Sequence, residues 1–217
     1  MKNIEILYED DFSLIVNKPA GLAVQGGKGV KSSLDIILAE MRTPPPLLVH
    51  RLDKDTSGLL LMAKGREAAA RFSHLLAADR KVVKQYIAVC AGYPDKDEGS
   101  IKDDLLIRQK IKKSETRYRV IKRGKISLPE AMEFSVLEIE LRTGRMHQIR
   151  RHLAMNGNPV LGDDKYGDFT LNKNLRKAGQ KRLLLHASRL IIKDNFNIDI
   201  RAPLPDYFNF FIGEQLT

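Results

Sequence analysis

The chain holds one cysteine in 217 residues, Cys90, so no disulfide forms within it and a reducing compartment fits. Cys90 lies in an apolar run with no electropositive neighbourhood evident, which reads as packing rather than nucleophilic chemistry. No apolar run approaches the length of a membrane span. The opening Met1-Lys2-Asn3-Ile4-Glu5 lacks the apolar stretch of a secretory signal, which points to the cytoplasm. Metal-site spacings are missing as well. The histidines His50, His74, His147, His152 and His186 include no i,i+4 pair, and there is no paired-cysteine or H-x-E pattern. Gly26-Gly27-Lys28-Gly29 lacks the spacing of either phosphate-cradling glycine motif and reads as a turn or mobile rim. No G-x-S-x-G elbow supports a serine nucleophile at Ser57.

Acids are the minority charge. Lys and Arg number 37 against 27 Asp and Glu, a net charge of +10. Such an excess favours an acidic partner, nucleic acid foremost, with a merely solubilising surface as the alternative. The cations concentrate in three stretches. From Arg108 to Lys125, a run that includes Lys112 and Lys113, Glu115 is the single acid. A second stretch holds Arg142, Arg145, Arg150 and Arg151, and a third Lys173, Arg176, Lys177, Lys181 and Arg182. Gathered on one face, they would form a broad electrostatic footprint.

The remaining composition, 43% apolar and 29% charged, is that of a soluble globular chain able to bury a substantial core. Residues 4–9 and 12–17 read as strands joined at Asp10-Asp11, and Lys18-Pro19-Ala20-Gly21 breaks the second. Ser33 is placed to cap a helix through about Met41, with Leu34, Ile37, Leu38 and Met41 on one face. Thr43-Pro44-Pro45-Pro46 ends it. Residues 66–78 predict an amphipathic helix with Ala69, Phe72, Leu75 and Leu76 inward. Strands are expected over 84–90, 116–122 and 132–142, a helix over 146–156, and a last strand pair over 183–193 and 196–201 turning at Asp194-Asn195. Residues 205–212 suit a terminal helix. Strands with interspersed helices and no regular βαβ rhythm indicate an α+β fold with a mixed, largely antiparallel sheet. No repeat or linker divides 1–217, so one domain is the simplest organisation.

The densest chemistry lies in His50-Arg51-Leu52-Asp53-Lys54-Asp55-Thr56-Ser57-Gly58, a charged turn between the apolar runs Leu47-Leu48-Val49 and Leu59-Leu60-Leu61-Met62-Ala63. Asp53 and Asp55 could form the acid and base of a hydrolase. The plainer reading has Asp55 capping the turn through the amides near Ser57, leaving Asp53 as the reactive carboxylate. A desolvated carboxylate needs a cation beside it to stay ionised. The second constellation, Thr143-Gly144-Arg145-Met146-His147-Gln148-Ile149-Arg150, reads as a glycine turn opening a helix. On it His147 and Arg150 share one face, and Met146, Ile149 and Leu153 form a core-facing set. An exposed basic helix is the alternative. His50 and His186 sit in apolar strands, where a hydrogen-bonded structural histidine is the expected role.

These stretches resemble the RluA family of pseudouridine synthases over nearly the whole chain. The landmarks are Asn17-Lys18-Pro19-Ala20-Gly21, His50-Arg51-Leu52-Asp53 with Thr56-Ser57-Gly58, Lys84-Gln85-Tyr86, Thr143-Gly144-Arg145 with His147-Gln148-Ile149-Arg150, Gly162-Asp163-Asp164-Lys165-Tyr166-Gly167 and Leu185-His186-Ala187. Six in the family's order are specific where any one would be weak. Ser114-Glu115-Thr116-Arg117-Tyr118 and the Asp-Asp-Lys-Tyr-Gly stretch are most similar to RluC-like members acting on large-subunit ribosomal RNA.

The resemblance implies the pseudouridine synthase catalytic fold, a sheet flanked by helices and loops around a central cleft. It implies isomerisation of uridine in structured RNA, ribosomal or transfer, with no metal and no organic cofactor. By position Asp53 is the essential carboxylate, attacking either sugar or base; Arg150 is the arginine that pairs with it, and Tyr86 stacks on the target base. Arg51 matches the arginine that fills the space left by the flipped nucleotide, whose extrusion costs a few kcal/mol. The expected RNA-contacting set is Arg51 and His50 with Arg145, His147, Lys112 and Lys113. Many relatives carry a small RNA-binding domain ahead of the catalytic one, whereas Ile4-Glu5-Ile6-Leu7-Tyr8 already matches the opening catalytic strand. RNA affinity is therefore expected from the catalytic domain itself, as a monomer by default. Lys54 stands where arginine is frequent, which keeps the charge. A catalytically silent RNA-binding or ribosome-assembly protein on the same fold is the competing reading. The retained Asp53, Tyr86 and Arg150 speak against it.

Overall fold

The computed structural model describes residues 4–27, 32–77, 81–107, 109–127, 131–194 and 197–213. Lys28 and Gly29 of the glycine loop, Ala78, Arg108 and the Asn195-Phe196 turn lie outside them. In chain order the first elements are β1 (Glu5–Glu9), β2 (Ser13–Lys18), α1 (Leu34–Met41), β3 (Leu47–Leu48), β4 (Ser57–Ala63) and α2 (Arg66–Ala77). Next come β5 (Val82–Ala91), β6 (Glu98–Ile101), β7 (Leu105–Ile107), β8 (Lys110–Lys112), β9 (Thr116–Ser127) and β10 (Ala131–Leu141). The last are α3 (Gln148–Met155), α4 (Phe169–Lys177), β11 (Leu185–Ile192), β12 (Ile198–Arg201) and, after a 3-10 turn at Asp206–Phe208, α5 (Asn209–Ile212). Strands with interspersed helices make this the α+β class that the sequence predicts. No helix among the described residues is long and apolar enough to cross a membrane.

The chain forms two compact units, Met1–Val83 with Ala187–Pro203, and Lys84–His186 with Leu204–Thr217. In the first, the strand order is β1-β2-β4-β11, with β3 added to β4 and β12 to β11. Every residue of β4 is buried, so the strand needs apolar side chains on both faces, which the leucine run supplies. Leu59, Leu61 and Ala63 point one way, into a core with Ile15, the α2 residues Ala68, Phe72 and Leu75, and Leu190, Ile192 and Ile198. On the opposite face, Leu60 and Met62 register with Val16 and Leu14, all four buried.

The second unit orders its strands β5-β10-β9-β6, each pair antiparallel, with β7 and β8 as a separate hairpin. Its core joins Val89, Phe134, Val136, Leu161, Leu175 and Leu184 to Phe208, Phe211 and Ile212. Cys90 of β5 is buried, and burial pushes its thiol pKa up, as suits a packing residue.

Two expectations need correction. Met41, at the last turn of α1, is exposed rather than inward. Met146 is 56% exposed, because α3 begins only at Gln148 and Met146 precedes it. Of the expected apolar set, Ile149 and Leu153 are buried, together with the polar Gln148, Arg150 and His152.

Gly58 illustrates how tightly β4 sits. Its φ is +105°, and a Cβ there would stand 2.2 Å from the Ala187 carbonyl oxygen and 2.7 Å from the Ala187 nitrogen. Gly65 also has a positive φ, +100°, with nothing within 4 Å. Gly58→Ala should therefore cost roughly 3 kcal/mol or more by urea denaturation, while Gly65→Ala should cost only about 1 kcal/mol from the backbone. Equal losses would show that the close approach carries no weight.

Candidate active site

The turn bearing Asp53 runs from β3 to β4. Its closure is a backbone hydrogen bond, Thr56 amide to Asp53 carbonyl at 3.2 Å. Beneath it lies Lys18, the last residue of β2 and 0% exposed. Its Nζ donates to the carbonyls of Leu22 at 2.9 Å, Pro19 at 3.0 Å and Lys54 at 3.0 Å. The Gly21 amide adds a second donor to the Lys54 carbonyl, at 2.9 Å. One ammonium thus ties the end of β2 and the loop after it to the residue next to Asp53. Burial pushes the Lys18 pKa down to about 8, while Asp55 and Asp53 pull it upward. Asp55 is exposed, and its carboxylate makes no hydrogen bond among the described residues. It acts on Lys18 through charge rather than capping the turn.

His50 is tied into the same unit, since the Leu61 amide donates to its Nε2 at 3.0 Å. That bond fixes Nε2 as the acceptor nitrogen. His50 lies beyond the end of β3 rather than in a strand, yet it is hydrogen-bonded as a structural histidine would be. Arg51 is exposed and Asp53 half-buried.

In the second unit, Gln148 organises the start of α3. Its side-chain oxygen accepts from Thr143 Oγ1 at 2.7 Å and the Arg145 amide at 3.0 Å; its nitrogen donates to the Glu115 carbonyl at 2.9 Å and to Thr116 Oγ1 at 3.0 Å. His147 takes the N-cap position with φ 54° in the left-handed region. His147 therefore precedes the helix rather than sharing a helical face with Arg150, and Arg145 lies ahead of it in the turn. The Nδ1 of His147 lies 3.0 Å from the Tyr166 hydroxyl, and Arg145 Nε donates to the Lys113 carbonyl at 3.2 Å.

Arg150 is buried, and its guanidinium is gripped by a carboxylate whose role no local sequence pattern marks. Nε donates to Asp163 Oδ2 and Nη2 to Asp163 Oδ1, each at 2.8 Å. Asp163 Oδ1 also accepts from the amides of Lys165 at 2.9 Å and Tyr166 at 3.1 Å. Burial alone would raise the Asp163 pKa, but Arg150 and these amides outweigh it and hold the carboxyl below its ordinary value. The Arg150 guanidinium carbon lies 5.2 Å from the centre of the Tyr166 ring. Asn172 completes the loop, donating to the Asp163 carbonyl at 2.8 Å and accepting from the Gly162 amide at 2.9 Å.

The site candidates fall in both units. His50, Arg51 and Asp53 belong to the first; Tyr86, Lys112, Lys113, Arg145, His147 and Arg150 belong to the second. Tyr86 is buried in β5, paired in register with Ile139 of β10. Lys112 and Lys113 are exposed at the end of β8. Lys18 and Asp163, the two residues missed, lay within motifs already quoted. A lysine closing an otherwise apolar strand was the available signal for the first.

Residues 12–155 match the family model described as RNA pseudouridylate synthase. The chain is 35% identical to the ribosomal large subunit pseudouridine synthase C of Rickettsia bellii, over 94% of this chain and 69% of that protein. It is 38% identical to the protein of the same name from Haemophilus ducreyi, over 96% of this chain and 68% of the other. Among solved structures, human RNA pseudouridylate synthase domain containing 1 superposes with a TM-score of 0.78 at 26% identity, covering 94% of this chain and 84% of the human one.

Breaking either buried charge should be costly. Asp163→Asn removes the charge from the carboxylate that grips Arg150 through two hydrogen bonds, a loss of about 3–5 kcal/mol in denaturant unfolding; a loss below 1 kcal/mol would contradict the buried pair. For Lys18, the folded state gives up its proton near pH 8, whereas an unfolded lysine holds it to about 10.4. Folding therefore sheds a proton between those values, and the Lys18 contribution to stability is greatest above about 10.4 and is lost as pH falls through 8. The stability difference between wild type and Lys18→Met should shift in favour of wild type as pH rises across that window. A pH-independent difference would rule the titration out.

Proposed function

The chain belongs to the RNA pseudouridylate synthase family and is an RNA pseudouridine synthase, and from that premise we propose that it modifies uridine in large-subunit ribosomal RNA. The relatives of that name, alike over nearly the whole chain, support the substrate. Transfer RNA is the alternative polynucleotide, and the two are separable by mapping.

The isomerisation is redox-neutral. The bond between base nitrogen and ribose breaks, the base turns, and a carbon–carbon bond forms from carbon 5 to the same ribose carbon. Carbon 5 then loses its hydrogen as a proton and the freed ring nitrogen gains one. We take Asp53 as the carboxylate that attacks sugar or base, Arg150 as its electrostatic support and Tyr86 as the stacking partner of the base. Arg51 fills the place of the extruded nucleotide, and Arg145, His147, Lys112, Lys113 and His50 contact RNA. Carrying this reading is the anchoring of the Asp53 turn, whose Lys54 carbonyl is held by both the Lys18 ammonium and the Gly21 amide. A carboxylate on a turn held in this way needs little reorganisation as charge develops. Residues 1–217 act as a single catalytic domain, monomeric and cytoplasmic, without metal or organic cofactor.

Tritium release from carbon 5-labelled uridine tests the reading. Wild type should release tritium from unmodified large-subunit ribosomal RNA, and Asp53→Ala should release none above background while binding RNA within a few-fold of wild type. Full activity in the variant would remove Asp53 from the chemistry. Pseudouridine mapping in cells lacking the gene should show one or more missing modifications in ribosomal RNA; losses confined to transfer RNA would overturn the substrate.

A further inference from the structure

The second unit carries a basic surface for which the proposed chemistry has no use. α4 turns Leu171, Asn172 and Leu175 inward, the two leucines against the core that holds Leu161, Leu184 and Phe208. Phe169, Lys173 and Lys177 follow at four-residue spacing along another face, and all three are exposed. Phe169 is 76% exposed, more than any other large apolar side chain among the described residues. It neither packs nor caps, since Asp168 already accepts from the Leu171 amide at 2.7 Å. Exposed Lys181 and Arg182 follow the helix. Arg176 pairs with Asp164, but no described carboxylate pairs with Lys173, Lys177, Lys181 or Arg182.

We propose that this face of α4 is an RNA-docking surface, on which an unpaired base stacks against Phe169 while Lys173 and Lys177 neutralise the neighbouring phosphates. The inference rests on RNA being the substrate. A flat aromatic beside unneutralised cations matches a polymer that alternates π-faces with phosphate charge. A membrane surface would call for a continuous apolar face, whereas α4 shows solvent one aromatic and keeps its leucines inside. The location fits the chemistry as well. Asn172 of α4 bridges Gly162 and Asp163, so the docking helix is built onto the loop that grips Arg150.

The test uses the full chain and a fluorescent, unmodified transcript of large-subunit ribosomal RNA, with Kd measured against salt. Phe169→Ala should raise Kd about five- to ten-fold at every salt concentration, with the salt slope unchanged. Lys173→Gln with Lys177→Gln should raise Kd and reduce the slope of log Kd against log salt by about 1.4, at ~0.7 per cation on a single strand. In both variants KM should follow Kd, while kcat at saturating RNA and the melting temperature stay at wild-type values. Unchanged Kd and KM in both variants would overturn the proposal, as would a fall in kcat alone. So would loss of binding to phosphatidylserine vesicles with RNA affinity intact. The two readings fail separately: wild type that binds the transcript without releasing tritium sinks the isomerase reading, and active variants with wild-type RNA affinity sink only the docking surface.

Discussion

An ammonium group sealed from solvent has to find acceptors, and in the first unit Lys18 finds three backbone carbonyls. The constraint runs in both directions. Those carbonyls belong to the break after β2 and to the Asp53 turn, segments that lack the ladder hydrogen bonds of a sheet, so the lysine supplies what the backbone would otherwise lack. Gly58, opposite Lys18 in the β2–β4 register, allows the close approach of β4 to Ala187 of β11. Apolar packing around β4 then makes displacement of any of these parts expensive.

A similar device recurs with opposite sign in the second unit. Asp163 is a carboxylate withdrawn from solvent whose lone pairs are taken by Arg150 and by two amides of its own loop. A buried ion pair of this kind adds little net stability over an apolar substitute, because desolvation offsets most of the attraction. Its effect is geometric: a long, flexible side chain is held in one orientation before any substrate arrives. Gln148, with all its hydrogen-bonding capacity used, does the same for the chain leading into α3. Preorganisation of polar groups is the part of catalysis that folding can supply in advance.

Much of this was legible in the sequence. The leucine run of β4, the amphipathic spacing of α2 and the alternation in β9 and β10 announce themselves because periodic burial leaves periodic residues. β6, β7 and β8 are three or four residues long, too short for a period to show. α4 has only Leu171 and Leu175 as an apolar stripe, so its composition reads as polar and only Asp168 hinted at a start. Lys18 and Asp163 escaped for another reason. Burial of a charge depends on partners distant in sequence, Lys54 for one and Arg150 for the other, and in a chain this rich in charge no local pattern marks which few are inside. Met146 misled because the helix pattern starts two residues ahead of Gln148, before the point where His147 turns the backbone left-handed.

Both units are discontinuous in sequence, and that has a consequence for how the protein comes into being. The core around β4 includes Leu190, Ile192, Ile198 and Ala202, and the core around β10 includes Phe208, Phe211 and Ile212. A nascent chain that has emerged only as far as α4 therefore carries the Asp53 turn, Tyr86 and Arg150 with neither core closed. A packed core closes only when all of its segments are present, so these two close only after β11, β12 and α5 have emerged. Synthesis itself withholds the finished enzyme until its C-terminal strands and helix are free to join.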